Sequence, residues 1–273
     1  MTSNERVVLI TGASSGIGAA CARLLSERGY RVFGTTRAAP LPPAAQGFEL
    51  IPVDVDSDSS VEQAVQRVME SAGRLHVVVN SAGYGLAGAV EETTVEEAKA
   101  QLETNFFGIW RVCRAVLPRM REQRGGYIVN IGSLGGRIGL PFQAAYCASK
   151  FALAGFTESL SAEVRPFGIH AVLIEPGNFA TGITDRRQLA REARRSQAYR
   201  ESFTRALRIY EADEIAGPAP EPVAHLLYRI INTPAPRLRY TVGPTAERLS
   251  LLAKAILPGR LFERLMLRRY GSG

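Results

Sequence analysis

Val8, Leu9, Ile10 and Thr11 run without a break into Gly12-Ala13-Ser14-Ser15-Gly16-Ile17-Gly18, and this junction constrains the fold more than any other part of the chain. A short apolar run that ends in a glycine turn reads as a strand buried on both faces. A helical pattern from about Ile17 to Arg28 follows at once. Gly12 allows the tight turn, Gly16 lets a ligand approach the backbone, and Gly18 permits close helix packing. The free N–H groups and positive dipole end at Ser15, Gly16 and Ile17 suit a pyrophosphate.

The same alternation continues downstream. Arg31–Thr35, Glu49–Val53, Leu75–Asn80, Tyr127–Gly132 and Ile169–Glu175 read as buried strands, and Arg239–Val242 as a late short one. Between them lie helical patterns at Ser59–Ala72, at Thr94–Met120 with a break near Asn105, and at Ala144–Arg165; a Pro/Ala-rich loop spans Ala38 to Gly47. Near-continuous apolar strands alternating with helices predict a Rossmann-like, doubly wound parallel sheet of about seven strands in one domain over residues 1–245. Two regions interrupt the pattern. Residues 181–222 are helical and arginine-rich, with Phe203, Leu207 and Tyr210 as apolar contribution, and follow the sixth strand on the ligand side of such sheets. They are expected to form a substrate flap. Residues 246–273 form an amphipathic, basic tail, with Leu249, Leu252, Ala253 and Ile256 before Pro258-Gly259 and Leu261, Phe262, Leu265 and Met266 after it.

Net charge is +7, concentrated in Asp185–Arg208 at +5 and in the tail at +4. These segments read first as solvated helix faces; the tail also has the composition to touch anionic membrane from the side. Scattered arginines without a motif give no ground for nucleic-acid binding. Cys21, Cys113 and Cys147 have neither disulfide nor metal spacing, which fits a reducing compartment and no metal. With no run of roughly 20 apolar residues, a cytoplasmic protein is expected.

The chemistry is carried by Tyr146-x-x-x-Lys150, with Ser133 upstream. A spacing of four stacks both side chains on one helix face. An ammonium beside a phenol favours the phenolate, making tyrosine a proton donor and acceptor nearer neutrality. Ser133 can hold the reacting oxygen. The end of the second strand selects the cofactor. It reads Gly34-Thr35-Thr36-Arg37, with no acid for a ribose 2′-hydroxyl and an arginine able to pair with a 2′-phosphate. Ser14 can add a hydrogen bond. NADP(H) is therefore expected.

These motifs together resemble the short-chain dehydrogenase/reductase family over residues 5–245: T-G-A-S-S-G-I-G, Asp54, Asn80-Ser81-Ala82-Gly83, Asn105, Ser133, Tyr146-x-x-x-Lys150 and Pro176-Gly177. Ser81 departs from the usual second asparagine. The resemblance implies that Tyr146 is the general acid/base, that Lys150 lowers its pKa and holds the nicotinamide ribose, and that Ser133 binds the substrate oxygen. Asn105 would anchor a proton-relaying water. Asp54 would meet the adenine, Asn80, Ala82 and Gly83 would support the cofactor, and Pro176, Gly177, Phe179 and Thr181 would lie by the nicotinamide. Gly139–Phe142, Tyr146–Leu153, Thr36-Arg37 and Leu238–Tyr240 resemble the 17β-hydroxysteroid and retinol dehydrogenase group within the family. That implies a lipophilic alcohol or carbonyl as substrate, an apolar pocket lined by Leu140, Phe142 and Phe179, and a homodimer or homotetramer. A carrier-linked 3-oxoacyl reductase and a non-catalytic NADP sensor are the alternatives; the sensor would lack Tyr146 or Lys150.

Overall fold

A computed structural model describes residues 6–38, 47–195 and 197–270. The Ala38–Gly47 loop expected from the sequence, and the polar N-terminal stretch, therefore fall largely outside the described residues. The chain runs β1 (Val7–Thr11), α1 (Gly16–Glu27), β2 (Arg31–Thr36), β3 (Glu49–Pro52), α2 (Asp58–Ala72), β4 (Val77–Asn80) and β5 (Leu86–Ala87). It continues through α3 (Val95–Leu102), a π turn at Glu103–Phe107, α4 (Gly108–Glu122), β6 (Gly126–Ile131), α5 (Ala144–Val164) and β7 (Ile169–Pro176). The remainder is α6 (Ile183–Arg186), β8 (Gln188–Leu189), α7 (Arg200–Ile215), α8 (Glu221–Ile231), β9 (Arg239–Val242), α9 (Thr245–Ile256) and α10 (Gly259–Tyr270).

Seven strands form one parallel sheet in the order β3-β2-β1-β4-β6-β7-β9. The winding direction reverses between β1 and β4, which opens a crevice at their C-terminal ends. Both faces of the sheet are covered, so successive strand residues enter opposite cores. Val7, Leu9, Val78, Ile128 and Leu173 pack with α2, α4 and α5. Val8, Ile10, Val77, Val79, Val129 and Ile174 pack with α1 and α8. That is why inner strands such as β1 and β4 are nearly continuously apolar instead of alternating, whereas the edge strands β3 and β9 carry polar residues and are only partly buried.

Local chemistry places the helix ends. Ser57 accepts from Ser60 N–H at 3.3 Å at the start of α2, and Gly73 closes it in the left-handed conformation. The expected break near Asn105 is the π turn, where one residue too many is accommodated between α3 and α4. The outer faces of α4 and α5 leave Trp110 and Phe151 about half exposed. No helix among the described residues is long and apolar enough to cross a membrane.

Candidate active site

At the end of β1, Thr11 Oγ1 accepts from the backbone N–H groups of Ser81 and Ala82 at 3.0 and 3.1 Å. These contacts use main chain, so the serine at position 81 does not disturb them. A Cβ on Gly12 would lie 2.9 Å from Ala82 Cα, and one on Gly18 would lie 2.3 Å from the Gly12 carbonyl oxygen. The glycines are thus required by contact as well as by turn geometry. Ser15 makes no side-chain cap to α1, and no acid occupies its first turn. Its leading N–H groups face a cleft of about 560 Å³, with Gly12, Ser14, Ser15, Gly16 and Ile17 in the wall. An anionic, extended ligand fits this cradle.

Thr36 and Arg37 continue the same wall from the end of β2. Arg186 reaches over from α6, donating to Ser15 Oγ at 2.8 Å and to the Thr181 carbonyl at 2.8 Å. The residues present therefore fit a dinucleotide: a helix N-terminus and Arg186 for its diphosphate, and Arg37 at the sheet edge. Ala82, Gly83, Pro176, Gly177, Phe179 and Thr181 also line the cleft.

Three of the cofactor residues named from the sequence stand elsewhere. Asn80 is fully buried behind the wall, donating to Asn130 Oδ1 at 2.8 Å, which in turn donates to Thr157 Oγ1 at 2.9 Å. It ties β4 to β6 and α5, so any support it gives a cofactor is indirect. Gly18 is buried under Gly12. Asp54 is exposed beyond the cleft wall, its carboxylate accepting from Asp56 N–H at 3.1 Å.

The catalytic candidates converge on the floor. Ser133 caps the short turn after β6, and the phenol of Tyr146 on α5 bonds to its hydroxyl. Burial nonetheless pushes the Tyr146 phenol up to about 12, the Ser133 bond opposing that rise. Lys150 lies one turn further, its Nζ 6.0 Å from the Tyr146 ring centre and donating to the Ile131 carbonyl at 2.9 Å. Burial brings Lys150 down to about 8. The expected depression of Tyr146 by Lys150 is therefore not seen, because the ammonium is directed at a backbone carbonyl and desolvation dominates. Asn105, in the π turn, accepts from Tyr84 N–H at 3.1 Å and donates to the Tyr84 carbonyl at 3.0 Å and to Ser149 Oγ at 3.3 Å. Its side chain pins the loop after β4 to the helix of Tyr146 and Lys150.

The other half of the cleft is roofed by α7 and the tail. Leu140, Tyr210, Met266 and Tyr270 supply apolar surface. Phe142 lies behind this wall, meeting Phe203 and Tyr199 edge to face with ring centres 5.4 and 6.2 Å apart. The tail uses only part of the stripe the sequence suggested: Met266 lines the cleft, and Ala253 and Phe262 are half-buried. Leu249, Leu252, Ile256, Leu261 and Leu265 are exposed, whereas Leu251 and Tyr270 are buried. The rotation of α10 is fixed by Tyr270 against Tyr210, ring centres 4.9 Å apart, and by Arg269 donating to Asp213 at 2.5 Å. Two features had no signal in the sequence: the mini-sheet β5–β8, and a buried ion pair between Arg187 and Glu214.

The site, a dinucleotide cradle joined to a tyrosine–serine–lysine floor, agrees with what comparison with known proteins finds. The family model for short chain dehydrogenase matches residues 6–192. The chain is 42% identical over 259 residues to a 3-ketodihydrosphingosine reductase of Bacteroides thetaiotaomicron, covering 94% of this chain and 95% of the relative. It is 36% identical over 254 residues to human 17-beta-hydroxysteroid dehydrogenase type 1, covering 86% and 76% respectively. A short-chain dehydrogenase structure from Streptomyces avermitilis superposes with a TM-score of 0.80 at 32% identity, over 99% of this chain and 97% of that one. Sequence, topology and site geometry converge, and the chain belongs to the short-chain dehydrogenase/reductase family of oxidoreductases, enzymes acting on CH–OH and C=O groups.

Proposed function

We propose that this enzyme interconverts a lipophilic ketone or aldehyde and its alcohol with NADP(H). The observation that carries the reading is the single cleft in which a glycine cradle and Arg37 lead directly to Tyr146 and Ser133 under an apolar roof. When bound, the nicotinamide supplies or takes up the hydride. The chain's own residues do the rest. Ser133 holds the substrate oxygen, and Tyr146 gives a proton to it in reduction and removes one in oxidation. A phenol raised by burial is fully protonated at neutral pH, the state that reduction needs. Arg37 selects the phosphorylated cofactor by pairing with its 2′-phosphate, and β2 ends in Thr35-Thr36 where an acid would favour a free ribose hydroxyl. Ketodihydrosphingosine, named for the Bacteroides relative, is the first substrate to try, because a long alkyl chain suits the wall of Leu140, Met266 and Tyr270.

The test is NADPH oxidation against long-chain 3-keto amines, steroid ketones, retinaldehyde and acyl-carrier β-ketones. Turnover of at least one free lipophilic carbonyl is expected, with NADPH preferred over NADH. Activity confined to carrier-bound substrates would favour the 3-oxoacyl reductase reading instead. The tail adds a second check. Removing residues 246–273 strips Met266, Arg269 and Tyr270 from the roof. The KM for bulky substrates is expected to rise about tenfold or more, from loss of apolar contact, with the NADPH Kd little changed. Unchanged kinetics and melting temperature would show that the tail is dispensable.

A further inference from the structure

The roof of the substrate half contains one element at odds with a purely apolar pocket. Arg187, just after α6, and Glu214, near the end of α7, form an ion pair with side chains only 5% and 11% exposed. Thr184 Oγ1 donates to the second carboxylate oxygen of Glu214 at 2.6 Å. Arg187 Nη1 is buried with no hydrogen-bond partner among the described residues. Both residues line the cleft that holds Tyr146, and both charges act on its phenol, Glu214 raising and Arg187 lowering its pKa. The pair thus lies beside the reacting group.

Stability alone does not explain this arrangement. Replacing a buried ion pair with apolar side chains is often neutral or stabilising, and an unpaired guanidinium N–H is a cost. A carboxylate offers about four lone-pair positions, of which Arg187 and Thr184 take two. The neighbouring carboxylate, Asp213, is already held by Arg269. Spare acceptor capacity on Glu214 and a spare donor on Arg187 therefore stand side by side. A 17-ketosteroid or a plain alkyl ketone carries no amine or hydroxyl beside its carbonyl to satisfy either. A long-chain 2-amino-1-hydroxy-3-ketone has both.

We propose that Arg187 and Glu214 bind the polar head of the substrate, Glu214 accepting from an ammonium next to the ketone and Arg187 donating to the adjoining hydroxyl. This rests on the lipophilic-carbonyl reading above and narrows it to substrates with an amino-alcohol head. Thr184 and Arg187 orient the carboxylate, and the alkyl chain runs on toward Met266 and Tyr270. The ketone is left between Ser133 and Tyr146.

The experiment compares 3-ketodihydrosphingosine with an alkyl 3-ketone of equal chain length, both reduced by the full-length enzyme with NADPH. The wild type is expected to favour the amino ketone in kcat/KM by about a hundredfold or more, since sites built to bond a polar group reject analogues that lack it. Glu214→Gln is expected to lower this ratio at least about tenfold. Because Glu214→Gln alone leaves Arg187 without its counter-charge, Arg187→Met/Glu214→Leu is made as well. It removes both charges at once, and its ratio should fall toward one, with NADPH binding and melting temperature showing that the protein is folded. Equal efficiency on both ketones in the wild type, or full discrimination in the folded double variant, would overturn the head-group site while leaving the lipophilic-carbonyl reading intact. Turnover of neither ketone, nor of any other free lipophilic carbonyl, would overturn both.

Discussion

Tyr146→Phe is expected to lower turnover by about 10² to 10⁴ while leaving the NADPH Kd within a few-fold of wild type. The substitution deletes one oxygen. It removes the proton donor and the bond to Ser133, but the ring keeps its place beside Gly135, where a Cβ would lie only 3.1 Å from Tyr146 Cε1. Lys150 keeps its bond to the Ile131 carbonyl, so the floor of the cleft should not collapse. Steady-state kinetics with fluorescence titration of NADPH separates the two effects. Turnover within a few-fold of wild type would mean that another group delivers the proton.

Cofactor preference should reverse when the end of β2 is recharged. Thr36→Asp with Arg37→Ala replaces the cation proposed to pair with a 2′-phosphate with an anion suited to a free ribose hydroxyl. A charge-assisted contact contributes about 1.5–3 kcal/mol, so the NADPH-to-NADH ratio in kcat/KM is expected to fall at least about a hundredfold once repulsion is added. The change is conservative in shape, because Thr36 Oγ1 already accepts from Ala38 N–H at 3.1 Å and an aspartate oxygen can take that role. A wild type that already prefers NADH would show that Arg37 plays no part in selection. Arg186 provides an internal comparison. It lies over the diphosphate end of the cradle, which both cofactors share, so its loss cannot by itself alter their ratio.

The sheet was legible in the sequence because both of its faces are covered. The inner strands therefore appear as nearly continuous apolar runs, and the glycine turn after β1 marks where the first of them ends. The floor of the site was legible for a related reason: Tyr146 and Lys150 are one helical turn apart, and Ser133 ends a strand. Features built from distant residues carried no such signal. Arg187 and Glu214 meet only because α6 and α7 fold against each other. The two-residue strands β5 and β8 are too short to show any periodicity. Asn80 illustrates a subtler limit. Its motif is recognisable, but only the structure shows its amide joining β4 to Asn130 rather than facing a ligand. The tail was misread in detail because its leucines outnumber its aromatic anchor, yet Tyr270 and the Arg269–Asp213 pair set which face turns inward.

All three cysteines, Cys21, Cys113 and Cys147, are buried, and burial pushes the Cys21 and Cys113 thiols up to about 12 and raises that of Cys147. The nucleophile in alkylation is the thiolate, so in the folded state none of them offers a fast-reacting target to maleimide. The native protein is therefore a clean background for site-directed labelling. A single cysteine placed at Leu265 on α10, 44% exposed, would carry one fluorophore on the helix that roofs the cleft. Its emission could follow how that helix moves as substrates of different bulk enter and leave, without first removing any native residue.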